Sequence, residues 1–394
     1  MEQYRHEHPK LRAWSWAKQG LDGSLAGALA AEVLGKTGWA RSIGGANPYL
    51  GLFARAGLRR EQVDADLKEL RIHELPVVRG CTYVLGAEDF AWGLQLGRPA
   101  AEATVKILDK LGVERSELDA LIAATLQVLQ AQSALDPRQL KEQLGDAVRN
   151  LGEAGKRKGA STTLPTALGL LQSDGRIRRV PPSGRLDEQR YAYTAWGLDF
   201  SGLSDEQARR NMLGKFLAWT GGATLKQSQW FTSFTVAQTK AALLELGAVE
   251  QDGFWQLPQD RDAFEDFRAP DDEQIQLLAG TDGLTLLKRN APELLADEDS
   301  DRSVLGEKPL GLSADLSDHP IFDRGQIIGM WQFDPGREEL VAWTFRKPTA
   351  AVKKGIAEVE AYIREDLGDF RSFSLDSPKS RQKRIDALRA ASSR

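Results

Sequence analysis

The chain has 394 residues, 41% of them hydrophobic and 27% charged, and a formal net charge of −4. That length exceeds one small core and allows two or three domains, and the composition excludes a fibre or a disordered chain. No apolar run reaches the roughly 18 residues of a membrane span. The N-terminus, MEQYRHEHPKLRAWSW, has no apolar secretion core, and the lone Cys81 excludes an intrachain disulfide, so a cytoplasmic protein is expected. The four histidines, at 6, 8, 73 and 319, have no metal-ligand spacing, and His6 and His8 fall in an N-terminus expected to fray. With neither a phosphate loop nor a dinucleotide fingerprint, no metal and no cofactor is predicted.

In chain order, residues 20–95 supply helices at ANPYLGLFARAGL and EQVDADLKEL, then strands in ELPVVRGCTYVLG. From Ser116 the pattern repeats. Ser116 and Asp119 form a capping-box pattern ahead of Leu118, Ile122, Leu126 and Leu129 at helical spacing. Asp136 and Pro137 open a second helix to about Leu151, Leu164 to Gln172 form a third ended by Gly175, and RIRRV and RYAYT read as two strands around PPSGRLDEQ. Residues 204–257 repeat that order, with Ser204/Gln207 and Thr235/Gln238 as caps, a third helix with Ala237, Ala241 and Leu244 on one face, and a hairpin around Asp252-Gly253. Beyond Pro258 come LAGTDGLTLLKR, an acidic loop, and a hairpin made of GQIIGMWQF and EELVAWTF, whose second strand alternates Val341, Trp343 and Phe345. A helix with Val352, Ile356, Val359 and Ile363 on one face follows, then a basic tail that is either disordered or helical.

Three helices and a two-stranded wing are the order of a winged helix-turn-helix. The predicted fold is therefore α+β and mainly helical, with tandem winged-helix domains and a C-terminal β-hairpin region. The expected boundaries are 1–98, 99–198, 199–260, 261–375 and a basic tail at 376–394.

Residues 155–185 carry seven basic side chains and one acidic one. In a winged helix the third helix enters the major groove while wing and loops touch phosphates. Lys156, Arg157, Lys158, Thr162 and Thr163 precede the third helix, and Arg176, Arg178, Arg179 and Arg185 lie in the wing, so all nine are predicted DNA contacts. The alternative is an ordinary solvated face. The wing of the next repeat, AVEQDGFWQL, has two acidic residues and no basic one, as a packing or scaffolding unit would.

The segments GLFARAGL (51–58), VVRGCTYVLGAEDF (77–90), KRKGASTTLPTALGLLQSDGRIRRVP (156–181) and HPIFDRGQIIGMWQF (319–333) make the chain resemble the winged-helix DNA glycosylases of the AlkZ and YcaQ type. The resemblance covers most of residues 20–345. It implies a C-shaped, monomeric DNA-binding hydrolase that excises alkylated bases from duplex DNA, in some members from crosslinks. It departs at one point. Family members position the hydrolytic water with a Gln-x-Gln or Gln-x-Asp motif ahead of the segment matching GLFARAGL, where this chain reads TGWARSIGGANPYL. No Gln and no carboxylate stands between Thr37 and Leu50. The QAQ at 130–132 ends a helix elsewhere and does not take the role.

Glycosidic cleavage stabilises an oxocarbenium-like sugar and orients a water, work suited to a carboxylate or an amide. Asn47 is the only amide in the loop and is the catalytic candidate, with a helix cap as its alternative. Arg41 is read as a phosphate contact, and Trp39 as either a base-stacking or a core residue. Asp282 is read as a structural ion-pair partner of Arg289. Asp323 and Arg324 are expected exposed at the start of the hairpin, where Arg324 and Gln326 are predicted to touch the minor groove. Cys81 reads as a buried small apolar residue. The second reading of the whole chain is a non-catalytic winged-helix protein: a transcription, nucleoid or damage-binding factor.

Overall fold

The computed structural model describes residues 8–188, 190–200 and 203–392, so His6 lies outside the described residues. The first helices are α1 (His8–Lys18), α2 (Ala30–Thr37), α3 (Asn47–Ala56) and α4 (Arg60–Lys68). They surround an antiparallel sheet of β1 (Ala40–Arg41), β2 (Ile72–Pro76) and β3 (Thr82–Gly86), in the order β1-β3-β2. Glu74 pairs with Val84, which pairs with Ala40, so β2 and β1 lie on either side of β3. The predicted helices and strands of residues 20–95 are all present. A long helix unforeseen in the sequence, α5 (Phe90–Asp109), follows.

The next unit contains α6 (Arg115–Ala131), α7 (Pro137–Leu144), α8 (Gly152–Lys156), α9 (Leu164–Ser173) and the pair β4 (Ile177–Val180) and β5 (Ala192–Ala195). The capping box at Ser116 does not form. α6 starts at Arg115 with Glu114 as its N-cap, so Ser116 already has helical geometry, and Asp119 pairs with Arg115 instead. A cap must sit at the half-in, non-helical position to reach the free amides. Asp136 does so, closing a box with Gln139. The helix it opens stops at Leu144 rather than Leu151, because Gly145 turns the chain with φ +51°.

The third unit contains α10 (Asp205–Thr220), β6 (Ala223–Thr224), α11 (Leu225–Thr232), α12 (Val236–Glu245), β7 (Val249–Gln251) and β8 (Phe254–Gln256). Ser204 and Thr235 form the capping boxes read from the sequence. Asp252 and Gly253 both have positive φ, the requirement of a two-residue hairpin turn. One face is reversed, however. Ala237, Ala241 and Leu244 of α12 face solvent, and Thr239, Ala242 and Leu243 face the core.

After α13 (Pro258–Asp266), an antiparallel sheet runs β9 (Ile275–Leu277), β10 (His319–Asp323), β11 (Gln326–Asp334) and β12 (Glu339–Thr344) in that order, with α14 (Gly283–Leu286) between the first two strands in sequence. Helix α15 (Ala350–Tyr362) buries Val352 and Val359 as its periodicity predicts. The tail is the helix α16 (Pro378–Ser392), packed on β11 and β12. Its arginines bind acidic neighbours: Arg381 holds Asp369 and Asp376, Arg384 holds Asp318 and Glu307, and Arg389 holds Asp334 and Glu339. The described residues form an α+β, mainly helical protein with small sheets, and none of their helices is long and apolar enough to cross a membrane.

Candidate active site and nucleic-acid interface

The described residues of the loop between β4 and β5 fold back on the N-terminal sheet. Leu186 is buried in the core that contains Tyr49, Leu50 and Ile72, and its N–H donates to the Tyr49 hydroxyl at 2.9 Å. Arg185 is clamped by both oxygens of Asp187, at 2.8 and 2.6 Å, and donates to the Leu367 carbonyl. Arg179 stacks its guanidinium over Tyr191, 5.0 Å from the ring centroid. Half-buried Arg178 lines a cleft of about 520 Å³ with Asp64, Lys68 and His73, and burial holds its guanidinium below the usual range. Of the four wing arginines named from the sequence, Arg176 alone is exposed.

Ahead of α9 the picture differs again. Lys156, Arg157 and Lys158 are exposed, in a turn whose geometry is fixed by glycine. A Cβ at Gly155 would lie 2.2 Å from the Ala160 carbonyl oxygen, and Gly159 has φ +74°. Lys156 pairs with Glu153 at 2.7 Å on the surface, where such a pair contributes little. Thr162 is half-buried and bridges Asn150. Thr163 is 1% exposed and exchanges hydrogen bonds with the backbone of Arg149. Helix α9 itself has eight buried residues and is packed between α5 and α6, so it presents no recognition face.

The segment that departs from the motif forms the end of α2, β1 and the start of α3. Trp39 is core: it is 2% exposed, packs against Trp92, Trp219 and Tyr83, and donates to Asp89 at 2.8 Å. Arg41 lies half-buried over the Tyr83 ring and donates to the Thr82 carbonyl. Asn47 does not cap α3, whose N-cap is Ala46. Its amide donates to the Arg41 carbonyl at 2.8 Å, which ties β1 to α3, and its side-chain oxygen is buried without a partner among the described residues.

A carboxylate does reach this segment, from a strand 32 residues on. Ser42 donates to Glu74 Oε1 at 2.5 Å, and the Tyr191 hydroxyl donates to the same oxygen at 3.3 Å. Glu74 is 4% exposed, and burial pushes its carboxyl above the usual range, against the pull of the Ser42 hydrogen bond and the charges of Arg179 and Arg41. The signal in the sequence is small: one acidic residue, beside His73, in the strand segment IHELPVV.

The other named residues are placed elsewhere. Asp282 is indeed in an ion pair, but with Arg55 rather than Arg289: Arg55 binds both its oxygens at 2.9 Å, and Arg289 pairs with Asp315. Gln19 joins that buried network, accepting from Arg55 and donating to the Thr37 and Trp219 carbonyls. Asp323 and Arg324 are partly buried rather than exposed; Arg324 is bound by Asp323 and by the carbonyls of Pro270 and Asp271. Gln326 accepts from Arg12 at 3.5 Å. Cys81 is half-buried, not buried.

Comparison with solved structures gives a match to the Streptomyces sahachiroi DNA glycosylase AlkZ, with a TM-score of 0.67 at 18% identity over 93% of this chain and 98% of that one. At that identity the likeness shows the fold. A search of the curated proteins finds no match. The family model described as DNA glycosylase AlkZ-like matches residues 40–372, which takes in the Ser42–Glu74 contact, the basic turn and the C-terminal sheet. The chain belongs to the AlkZ-like DNA glycosylase family.

Proposed function

We propose that this protein hydrolyses the N-glycosidic bond of alkylated bases in duplex DNA, as a monofunctional glycosylase built of tandem winged-helix units divided near residues 98, 198 and 260. The observation that carries the reading is the family match across residues 40–372. The DNA contacts are Lys156, Arg157, Lys158 and Thr162 in the turn ahead of α9, with Arg176, Arg178 and Arg41; these keep exposed or half-exposed polar side chains. Thr163, Arg179, Arg185, Arg324 and Gln326 are assigned instead to holding loops and strands together. Asn47 acts as a positioning residue, because its amide holds the carbonyl of the residue before Ser42.

The test is single-turnover release of methylated purines from alkylated duplex DNA. Release by the wild type, reduced in Asn47→Ala, is the expected result, and no release from any alkylated duplex overturns the reading. Replacing Lys156, Arg157 and Lys158 by Ala should weaken binding and flatten its log–log salt dependence by about one unit per lost phosphate contact. An unchanged slope removes the turn from the interface.

A non-catalytic DNA-binding protein is the second reading. It is favoured by one observation, the lack of any Gln or carboxylate between Thr37 and Leu50. Salt-dependent duplex binding without base release is its signature.

A further inference from the structure

The glycosylase reading leaves a chemical gap: the loop that should orient the hydrolytic water has no Gln or carboxylate of its own to do so, and its one amide, Asn47, is tied to the Arg41 carbonyl. We propose that Glu74, brought to that loop by β2, is the catalytic residue that orients the water and takes its proton. This rests on the glycosylase reading and adds to it the group that performs the hydrolysis.

Three observations place Glu74 in the role. Its carboxylate meets Ser42, inside the segment 37–50, at 2.5 Å. Both of its hydrogen bonds, from Ser42 and Tyr191, fall on Oε1, so among the described residues Oε2 keeps its lone pairs for a further donor. The side chains around it are cationic and half-exposed: Arg41 on the β1 side and Arg179 on the β4 side. The buried carboxylate thus lies beside two guanidinium groups, of which Arg41 is the one proposed to meet a DNA phosphate. Its raised proton affinity, the result of burial, improves it as a base, since a general base works best with a pKa near the working pH.

The step balances without a cofactor. The C1′–N bond of an alkylated, cationic purine breaks with its electron pair going to the base, which leaves neutral. The water oxygen bonds to C1′, and the proton it releases passes to Glu74. The developing positive charge on the sugar lies against the carboxylate, which stabilises it. Ser42 and Tyr191 hold Oε1 and so fix the direction of Oε2. Asn47, through the Arg41 carbonyl, holds Ser42 in place.

Glu74→Gln keeps the shape and the ability to accept from Ser42 while it removes the base. Expected is a fall of about 100-fold or more in single-turnover base release, with duplex affinity and melting temperature near those of the wild type, and loss of the acidic limb of the pH–rate profile. Glu74→Ala, supplied with formate, should recover part of the rate, which a purely structural role would not allow. Release by Glu74→Gln within about threefold of wild type overturns the assignment and leaves the glycosylase reading intact. A fall matched by weaker DNA binding or by unfolding, with no formate rescue in Glu74→Ala, assigns Glu74 to the scaffold and also overturns it. If the wild type releases no base, both readings fall together.

Discussion

Arg55 shows how one side chain in a recognisable motif is committed to the fold. In the segment GLFARAGL it stands on a short helix, its side chain is 5% exposed and its hydrogen bonds reach Asp282, Gly51 and two atoms of Gln19. The bonds join α3 to the loop before α14, and Gln19 extends the network to α10 through the Trp219 carbonyl. A buried pair contributes little net stability, but breaking one partner strands the other charge. Arg55→Ala should therefore lower the free energy of unfolding by about 3–5 kcal/mol, measured by urea denaturation. A loss below about 1 kcal/mol would mean that Asp282 is hydrated in the folded state. Glu74 is a second such residue. Its neighbour Ser42, the residue after β1, is distant in sequence and close only because β1 and β2 both pair with β3.

At the scale of elements, capping boxes and turns depend on residues only a few positions apart and are mostly legible in the sequence, although the box at Ser116 fails because α6 starts at Arg115. Ser204, Thr235 and the Asp252-Gly253 turn all form. Faces are harder to read. The alanines and Leu244 of α12 share a helical stripe, and so do Thr239, Ala242 and Leu243 on the other side. Both stripes are small and weakly apolar, so periodicity alone does not choose between them; the packing of α12 on α10 does. Leu244, at 82% exposure, is expected to tolerate Glu with a change within about 0.5 kcal/mol. Leu243→Ala should lose about 2–5 kcal/mol. Equal losses at the two positions, read from denaturation midpoints, would reverse the orientation of the helix.

Over the whole molecule, two buried imidazoles set an acid dependence. Burial first, with Arg178 beside His73 and with Arg381 and Arg384 near His319, holds both down to about 3, against 6.5 for a free side chain. Below pH 6.5 the unfolded chain binds protons that the folded protein refuses until about 3. Their stabilisation is therefore complete above 6.5 and is lost as the pH falls through that window, by about 1.4 kcal/mol per pH unit for each histidine. Glu74, Asp64, Asp89 and Asp318, all raised by burial, act in the opposite sense, since the folded state protonates them first. His73→Phe, in a site bordered by Phe90 and Trp196, should lose less stability on acidification than the wild type. Parallel acid losses in the two proteins, followed by melting temperature, would remove His73 from the account.

The basic stretch at 155–185 marks the division between what is local and what is not. Its helix α9, its strand β4 and its turn before α9 are set by proline, glycine and apolar spacing within the stretch itself, and the sequence determines them. Which of its seven basic residues stay free does not follow from that spacing. Arg157, Lys158 and Arg176 remain exposed, while Arg179 and Arg185 are taken up when the loop between β4 and β5 docks on Tyr49 and β2. The same docking brings Tyr191 to Glu74 and completes the carboxylate site. Arg185 meets Asp187 two residues on, but its bond to the Leu367 carbonyl and the docking of Leu186 on Tyr49 each span more than a hundred residues, and only the tertiary structure brings such partners within hydrogen-bond range.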